Sequence, residues 1–228
     1  MNEHDQTASA KAAADSRLRG VPLRKRLFDL SIAIPLLVVF SPVMVVVFIA
    51  VTLALGRPAL FRQVRPGLHG RPFTLVKFRS MTDARAADGR LKPDAERLTP
   101  LGRLLRRTSL DELPQLWNVL RGEMSLVGPR PLMMEYLPRY SPEQMRRHDV
   151  LPGITGWSQV NGRNAASWPR RLALDVWYVD HQSPGLDLKI LAMTFWKVFK
   201  SEGITQPGRA TVDDFTGNEE LDAMEELP

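Results

Sequence analysis

The sequence predicts an α+β protein, predominantly helical, held at a membrane by an N-terminal apolar segment with a break at Ser41-Pro42. Three observations predict it. An uncharged apolar run extends from Leu30 to Leu55, with basic residues on both flanks. Two short stretches of β character bracket a turn signal, Pro66-Gly67-Leu68-His69-Gly70, which reads as a β-hairpin. Beyond them, helix starts at Thr99-Pro100 and Ser141-Pro142 and an amphipathic stretch at 187–200 make the remainder helical.

In chain order, residues 1–21 form a polar, alanine-rich N-terminal tail, and residues 22–56 form the membrane element. Its apolar run holds 26 residues. As one straight helix it reaches about 39 Å, enough to cross a hydrocarbon core of about 30 Å. Pro42 has no N–H for the carbonyl of Val38, so the helix must bend or break there, and the Ser41 hydroxyl can satisfy a freed backbone group. Each half alone is about 17–20 Å long, too short to cross. Both a re-entrant hairpin and a kinked span fit this pattern. Arg17, Arg19, Arg24, Lys25 and Arg26 precede the run, and Arg57, Arg62 and Arg65 follow it, so a true span would place one basic cluster outside. A cleaved signal fits poorly, because the apolar run exceeds the usual h-region and no small-residue cleavage site follows.

Residues 57–209 supply one domain of ordinary size. Ala59 to Val64 and Pro72 to Arg79 are its predicted strands, and Asp83 to Arg97 reads as a charged loop. Thr99-Pro100 opens a short helix with Leu101, Leu104 and Leu105 on one face, and Ser141-Pro142-Glu143-Gln144 carries a capping-box pattern. The last helix, about Asp187 to Lys200, has Leu188, Leu191, Phe195, Val198 and Phe199 on one side, edged by Lys189, Lys197 and Lys200. It fits an interfacial helix and a core helix equally.

The chain of 228 residues carries a net charge of +6, unevenly spread. Seven acids and no base follow Arg209, so residues 1–209 carry +13 and residues 210–228 form an acidic tail. Such a body favours anionic lipid headgroups and phosphorylated substrates. Nucleic acid is the rival partner, but no zinc finger, RNA-binding aromatic motif or basic heptad region accompanies the charge. A P-loop, a dinucleotide fingerprint and a His-Glu-x-x-His pair are likewise missing, and zero cysteines exclude disulfides and thiolate metal sites.

The chemistry points to Arg106-Arg107-Thr108-Ser109-Leu110-Asp111-Glu112-Leu113-Pro114. Ser109 with Glu112 also fits a plain capping box, although Pro114 would then interrupt the helix ladder. A helix starting nearer Asp111 removes the conflict: Asp111 sits at a positive helix end that keeps it ionised, and Glu112 is free to hold a cation. Gly128-Pro129-Arg130-Pro131 sets an arginine between prolines, suited to meeting a phosphate at fixed geometry. Pro152-Gly153-Ile154-Thr155-Gly156-Trp157 leads into Asn161-Gly162-Arg163-Asn164, and Lys77 and Arg79 end the second strand. Each group alone reads equally as a turn or a solvated charge. Together they suggest a phosphate site.

These motifs, with Lys25-Arg26-Leu27-Phe28-Asp29 before the apolar run, Lys77-Phe78-Arg79-Ser80-Met81, Ser109 to Val119 and Ser125 to Pro131, resemble the bacterial sugar transferase family. These are monotopic polyprenyl-phosphate phosphoglycosyl transferases, and the likeness is strongest to the small PglC-like members, from about Pro22 to Gly203. The resemblance implies transfer of a sugar-1-phosphate from a UDP-sugar to undecaprenyl phosphate with release of UMP, starting glycan assembly at the cytoplasmic face of the bacterial inner membrane. It implies that Asp111 is the nucleophile, forming a phosphosugar-aspartyl intermediate, and that Glu112 helps to coordinate Mg²⁺. Lys77, Arg79, Arg106, Pro129, Arg130 and Pro131 become phosphate- or nucleotide-binding positions, and Arg163 and Asp175 possible pocket residues. The break at Ser41 and Pro42 becomes a re-entrant turn on an anionic phospholipid membrane. A homo-oligomer is compatible with this chemistry, whereas nucleic acid has no part in it.

Leu151 and Ser158 depart from the common family pattern of arginine and alanine, and are expected to tune sugar or lipid contacts. The non-enzymatic alternative is a basic membrane-bound interaction protein; the enzymatic one is a polyprenyl-diphosphate phosphohydrolase, which would release inorganic phosphate. The sugar itself is not legible.

Overall fold

The structure, a computed structural model, describes residues 20–162, 167–200 and 215–217. Most of both predicted tails and Arg163 lie outside the described residues. Helix α1 (Leu23–Leu55) spans 33 residues with Pro35 and Pro42 inside it. It is long and apolar enough to cross a membrane by length and composition. The break expected at Ser41-Pro42 is not an interruption of the helix. The Val38 carbonyl, left without the Pro42 donor, accepts the Ser41 hydroxyl at 2.8 Å, so the side chain completes the ladder across the proline.

Both ends of α1 are docked onto the rest of the chain. At the N-terminal end, Lys25 donates to Asp187 at 2.7 Å and to Asp29 at 3.3 Å, all three side chains being buried. Asp29 also accepts from the Ser125 hydroxyl and the Leu126 amide, while the Tyr178 hydroxyl donates to Asp187 at 2.6 Å. Arg26 covers the Val119 and Leu120 carbonyls. Those are last-turn carbonyls of α4 (Gln115–Leu120), and that of Val119 also accepts the Gly122 amide at 3.0 Å. At the other end, Val47 and Val51 pack with Ala59, Phe78 and Leu105. Between the docked ends, Val38, Val39, Ser41, Pro42 and Val43 are exposed.

The hairpin forms as its sequence suggests. Strands β1 (Leu60–Pro66) and β2 (Pro72–Phe78) pair antiparallel, Leu60 opposite Phe78 and Pro66 opposite Pro72. Phe73 and Leu75, two apart, point into the main core, as the strand period requires. Short α2 (Asp94–Arg97) interrupts the charged loop. Helix α3 (Pro100–Thr108) begins where Thr99 accepts the Gly102 amide at 3.0 Å. Helix α5 (Pro142–Met145) has both arms of the expected capping box.

A second, parallel pair joins β3 (Ser125–Val127) to β4 (Gly153–Thr155). The following loops are pressed together: a Cβ on Gly153 would stand 2.1 Å from the Gly128 amide nitrogen, which only glycine tolerates. Helices α6 (Trp157–Asn161), α7 (Trp168–His181) and α8 (Pro184–Lys200) complete the order. The main core gathers Ala33, Phe73, Leu75, Leu116, Val119, Met124, Leu126, Val127, Val160, Tyr178 and Ile190. Helix α8 begins three residues before its predicted start, with one side in the core and an apolar side exposed. Ile190 is buried and Thr194 meets Thr155 at 2.7 Å, whereas Leu188, Phe195 and Trp196 face outward, 60%, 74% and 58% exposed. Among the described residues the fold is thus mostly helical with two small two-stranded sheets, an α+β chain with one long apolar N-terminal helix.

Candidate active site

The site begins where α3 stops. Ser109 adopts a left-handed conformation (φ 57°, ψ 17°), uncommon for a non-glycine residue, and turns the chain into a single 3-10 turn, Leu110–Glu112. Its side chain caps nothing, so the capping-box reading of Ser109 and Glu112 is not realised. Pro114 precedes α4, where its missing N–H costs no helix bond. Asn118 ties α4 to β2: its amide oxygen accepts the Val76 N–H at 3.2 Å and its amide nitrogen donates to the Thr74 carbonyl at 2.7 Å. That clamp sets Lys77, the next residue of β2, beside the turn that carries Asp111.

Arg106 is positioned by a close backbone approach. A Cβ on Gly102 would lie 1.8 Å from the Ser80 carbonyl oxygen, so α3 rests directly on the chain after β2. One turn later, Arg106 Nε donates to the Ser80 hydroxyl at 3.0 Å. Arg130 enters from the β3 end, its Nη2 donating to Glu112 Oε1 at 2.6 Å. Pro129 and Pro131 on either side are buried, and the Pro129 carbonyl accepts the Gly153 amide at 3.0 Å.

Burial and the neighbouring Glu112 push the Asp111 carboxyl up to about 6, against the pull of Lys77, Arg106 and Arg130. Asp111 is only 7% exposed. Desolvation outweighs the three cations, so Asp111 ionises less readily than a free carboxyl yet is a carboxylate at neutral pH. For Glu112 burial also pushes upward, but the Arg130 guanidinium, by charge and hydrogen bond, outweighs it and holds the carboxyl below its usual range. The Lys77 ammonium is lowered by burial first and by Arg130 second. Two adjacent carboxylates thus differ in character: one is raised above its usual range, the other held below it.

The structure brings together Asp111, Glu112, Lys77, Arg106 and Arg130. Glu112 is paired with Arg130 rather than free, as was expected of it. Arg79 spends its donors on the Pro58 carbonyl at 3.0 Å and Asp83 at 2.9 Å, bracing the start of the hairpin. Asp175 is buried behind the Arg130 loop, accepting Arg147 at 2.7 Å and the Ser158 hydroxyl at 2.6 Å. Ser158 and Leu151 are both buried, and Ser158 is tied to Asp175. Sequence reading did not single out Arg147; it also donates to the Arg130 carbonyl at 2.7 Å. Among the described residues no group of three or more His, Asp or Glu side chains converges on one point. A divalent cation that takes one or two carboxylates and otherwise substrate phosphates and water still fits the Asp111–Glu112 donor set.

Residues 21–201 match the bacterial sugar transferase family. An uncharacterized sugar transferase, EpsL, of Bacillus subtilis is 59% identical over 194 residues, covering 85% of this chain and 96% of that protein. The undecaprenyl-phosphate glucose phosphotransferase of Komagataeibacter xylinus is 43% identical over 75% of this chain but only 35% of its own length. The undecaprenyl-phosphate galactose phosphotransferase of Salmonella typhimurium is 41% identical over 78% of this chain and 41% of its own. With a family match over most of its length and the motif residues gathered in one site, the chain belongs to the bacterial sugar transferase family.

Proposed function

We propose that this chain transfers a sugar-1-phosphate from a UDP-sugar to undecaprenyl phosphate, releasing UMP. The observation that carries the reading is Asp111, buried, raised to about 6 and surrounded by Lys77, Arg106 and Arg130, in a family whose relatives act on undecaprenyl phosphate by name. An Asp111 carboxylate oxygen attacks the phosphorus that bears the sugar, and the bond from that phosphorus to the UMP oxygen breaks. The phosphate oxygen of the lipid then attacks the aspartyl-bound phosphosugar, returning Asp111 as a carboxylate. Lys77, Arg106 and Arg130 neutralise the diphosphate and hold it in line, which is where an anion attacking an anion gains most. Mg²⁺, bound by Glu112 with Asp111 beside it, would supply charge neutralisation at the phosphates.

Membrane seating follows a re-entrant reading of α1. It is supported by the docking of both its ends onto one domain, with the exposed apolar stretch around Ser41-Pro42 between them. The outward Leu188, Phe195 and Trp196 add an interfacial anchor on an anionic phospholipid surface, consistent with the cytoplasmic face of the inner membrane. Labels on single cysteines placed before Leu30 and after Leu55 should react from one membrane face; reaction from opposite faces refutes the re-entrant form.

The chemistry is tested by a panel of UDP-sugars with undecaprenyl phosphate, following UMP and lipid product with and without Mg²⁺. One donor should release UMP. Asp111→Asn should abolish it, and near-normal turnover by that variant would remove Asp111 as nucleophile.

A further inference from the structure

Phe215 lies beyond the family match, which ends at residue 201, yet it is fully buried. Its ring stacks on Tyr140 (centroids 5.6 Å apart, planes at 23°) and meets Tyr136 edge-on at 5.7 Å and Trp168 at 5.5 Å. Arg139 donates to its carbonyl. This is a built cage of three rings and one cation, and its occupant comes from the segment after α8.

The cage leads to the active site in three steps. Tyr140 carries the Arg147 guanidinium over its ring, 5.7 Å from the centroid. Arg147, 2% exposed, is held by Asp175 and donates to the Arg130 carbonyl at 2.7 Å. Arg130 bridges to Glu112 at 2.6 Å. Each contact is direct, so displacement of Tyr140 removes one wall of the Arg147 site.

We propose that Phe215 is a positioning residue: by filling the cage it holds Tyr140 against Arg147 and so fixes the Arg130 loop for binding a diphosphate. The inference rests on the phosphate-site reading above. Its consequence is that a residue outside the family core sets donor affinity through Arg130.

The test uses the full chain, which has no native cysteine. A nitroxide on Thr216→Cys, an exposed neighbour, should be immobilised with Phe215 present and mobile in Phe215→Ala. A mobile label with Phe215 in place overturns the docking. UDP is the binding probe, measured by calorimetry. Phe215→Ala should weaken it about tenfold, Phe215→Leu should restore most of the loss, and in an Arg130→Ala background the effect should shrink below about twofold. Unchanged UDP affinity, failure of UDP to bind the parent chain, or equal weakening in both backgrounds refutes the proposal. If UDP binding depends on both residues but no UDP-sugar yields UMP, the transferase reading falls and the positioning role stands.

Discussion

Asp111→Asn should make the protein more stable while abolishing turnover. Raising a buried carboxyl from 3.8 to about 6 means that the folded state holds its proton more tightly than the unfolded chain. At about 1.4 kcal/mol per pH unit, keeping Asp111 ionised costs about 3 kcal/mol of stability above pH 6. The sign follows from proton binding: between pH 4 and 6 the folded state carries a proton the unfolded chain has released, so this contribution falls as pH rises and then levels off. Asparagine has the same shape and no such cost, though its buried amide needs partners. A gain of about 2 kcal/mol, or about 4–8 °C in Tm for a chain of this size, is expected at pH 7.5.

The assay is thermal unfolding of the two proteins in detergent with EDTA, from pH 4 to 8. The gap should be near zero at pH 4 and fully open above pH 6. The opposite, downward shift of Glu112 contributes to both proteins and largely cancels in the comparison. An asparagine variant less stable at pH 7.5, or a gap that does not change with pH, would refute the claim that desolvation dominates at Asp111. Turnover of the parent chain should follow the same ionisation, rising through a pH near 6.

Glu112→Gln frees Arg130 and removes the proposed metal ligand, so turnover should fall about 100-fold and not respond to Mg²⁺, while UDP still binds by calorimetry. Lys25→Met leaves Asp29 and Asp187 buried without their cation and should destabilise by about 3–5 kcal/mol, read by thermal melting. Gly153→Ala forces a Cβ to 2.1 Å from the Gly128 amide and must part the two loops; UMP release should drop at least about tenfold, whereas an unchanged rate would mean that the loop spacing is not critical.

The parts legible in the sequence are those whose cause is local. Thr99 and Ser141 announce their helices because a cap, a proline and a following amide lie within four residues. The hairpin is legible for the same reason, and so is the role of the Ser41 hydroxyl, which lies three residues from its acceptor. What was not legible depends on long-range pairing. Asp175 looked like a pocket residue because nothing near it reveals Arg147, 28 positions earlier. Lys25 finds Asp187 across 162 positions. Helix α7 was not anticipated, although Ser167, Trp168 and Pro169 form a recognisable start. At Glu112 the adjacent carboxylates were visible, but not the guanidinium that occupies one of them.

That occupancy follows from how charge is distributed. Lys77, Arg106 and Arg130 face Asp111 and Glu112, leaving one formal positive charge in a partly dry site before substrate arrives. A lone cation surplus is costly to bury, and the Arg130–Glu112 bridge, still partly solvated with side chains 45% and 19% exposed, confines the cost to a pair that water reaches. On the proposed reaction, an incoming diphosphate would bring two negative charges and compete with Glu112 for the Arg130 fork. Its binding would then release the Glu112 carboxylate for the proposed metal ion. In the proposed reaction, donor binding and release of the second carboxylate would be one exchange of partners, with Arg130, fixed through its carbonyl by Arg147, as its pivot.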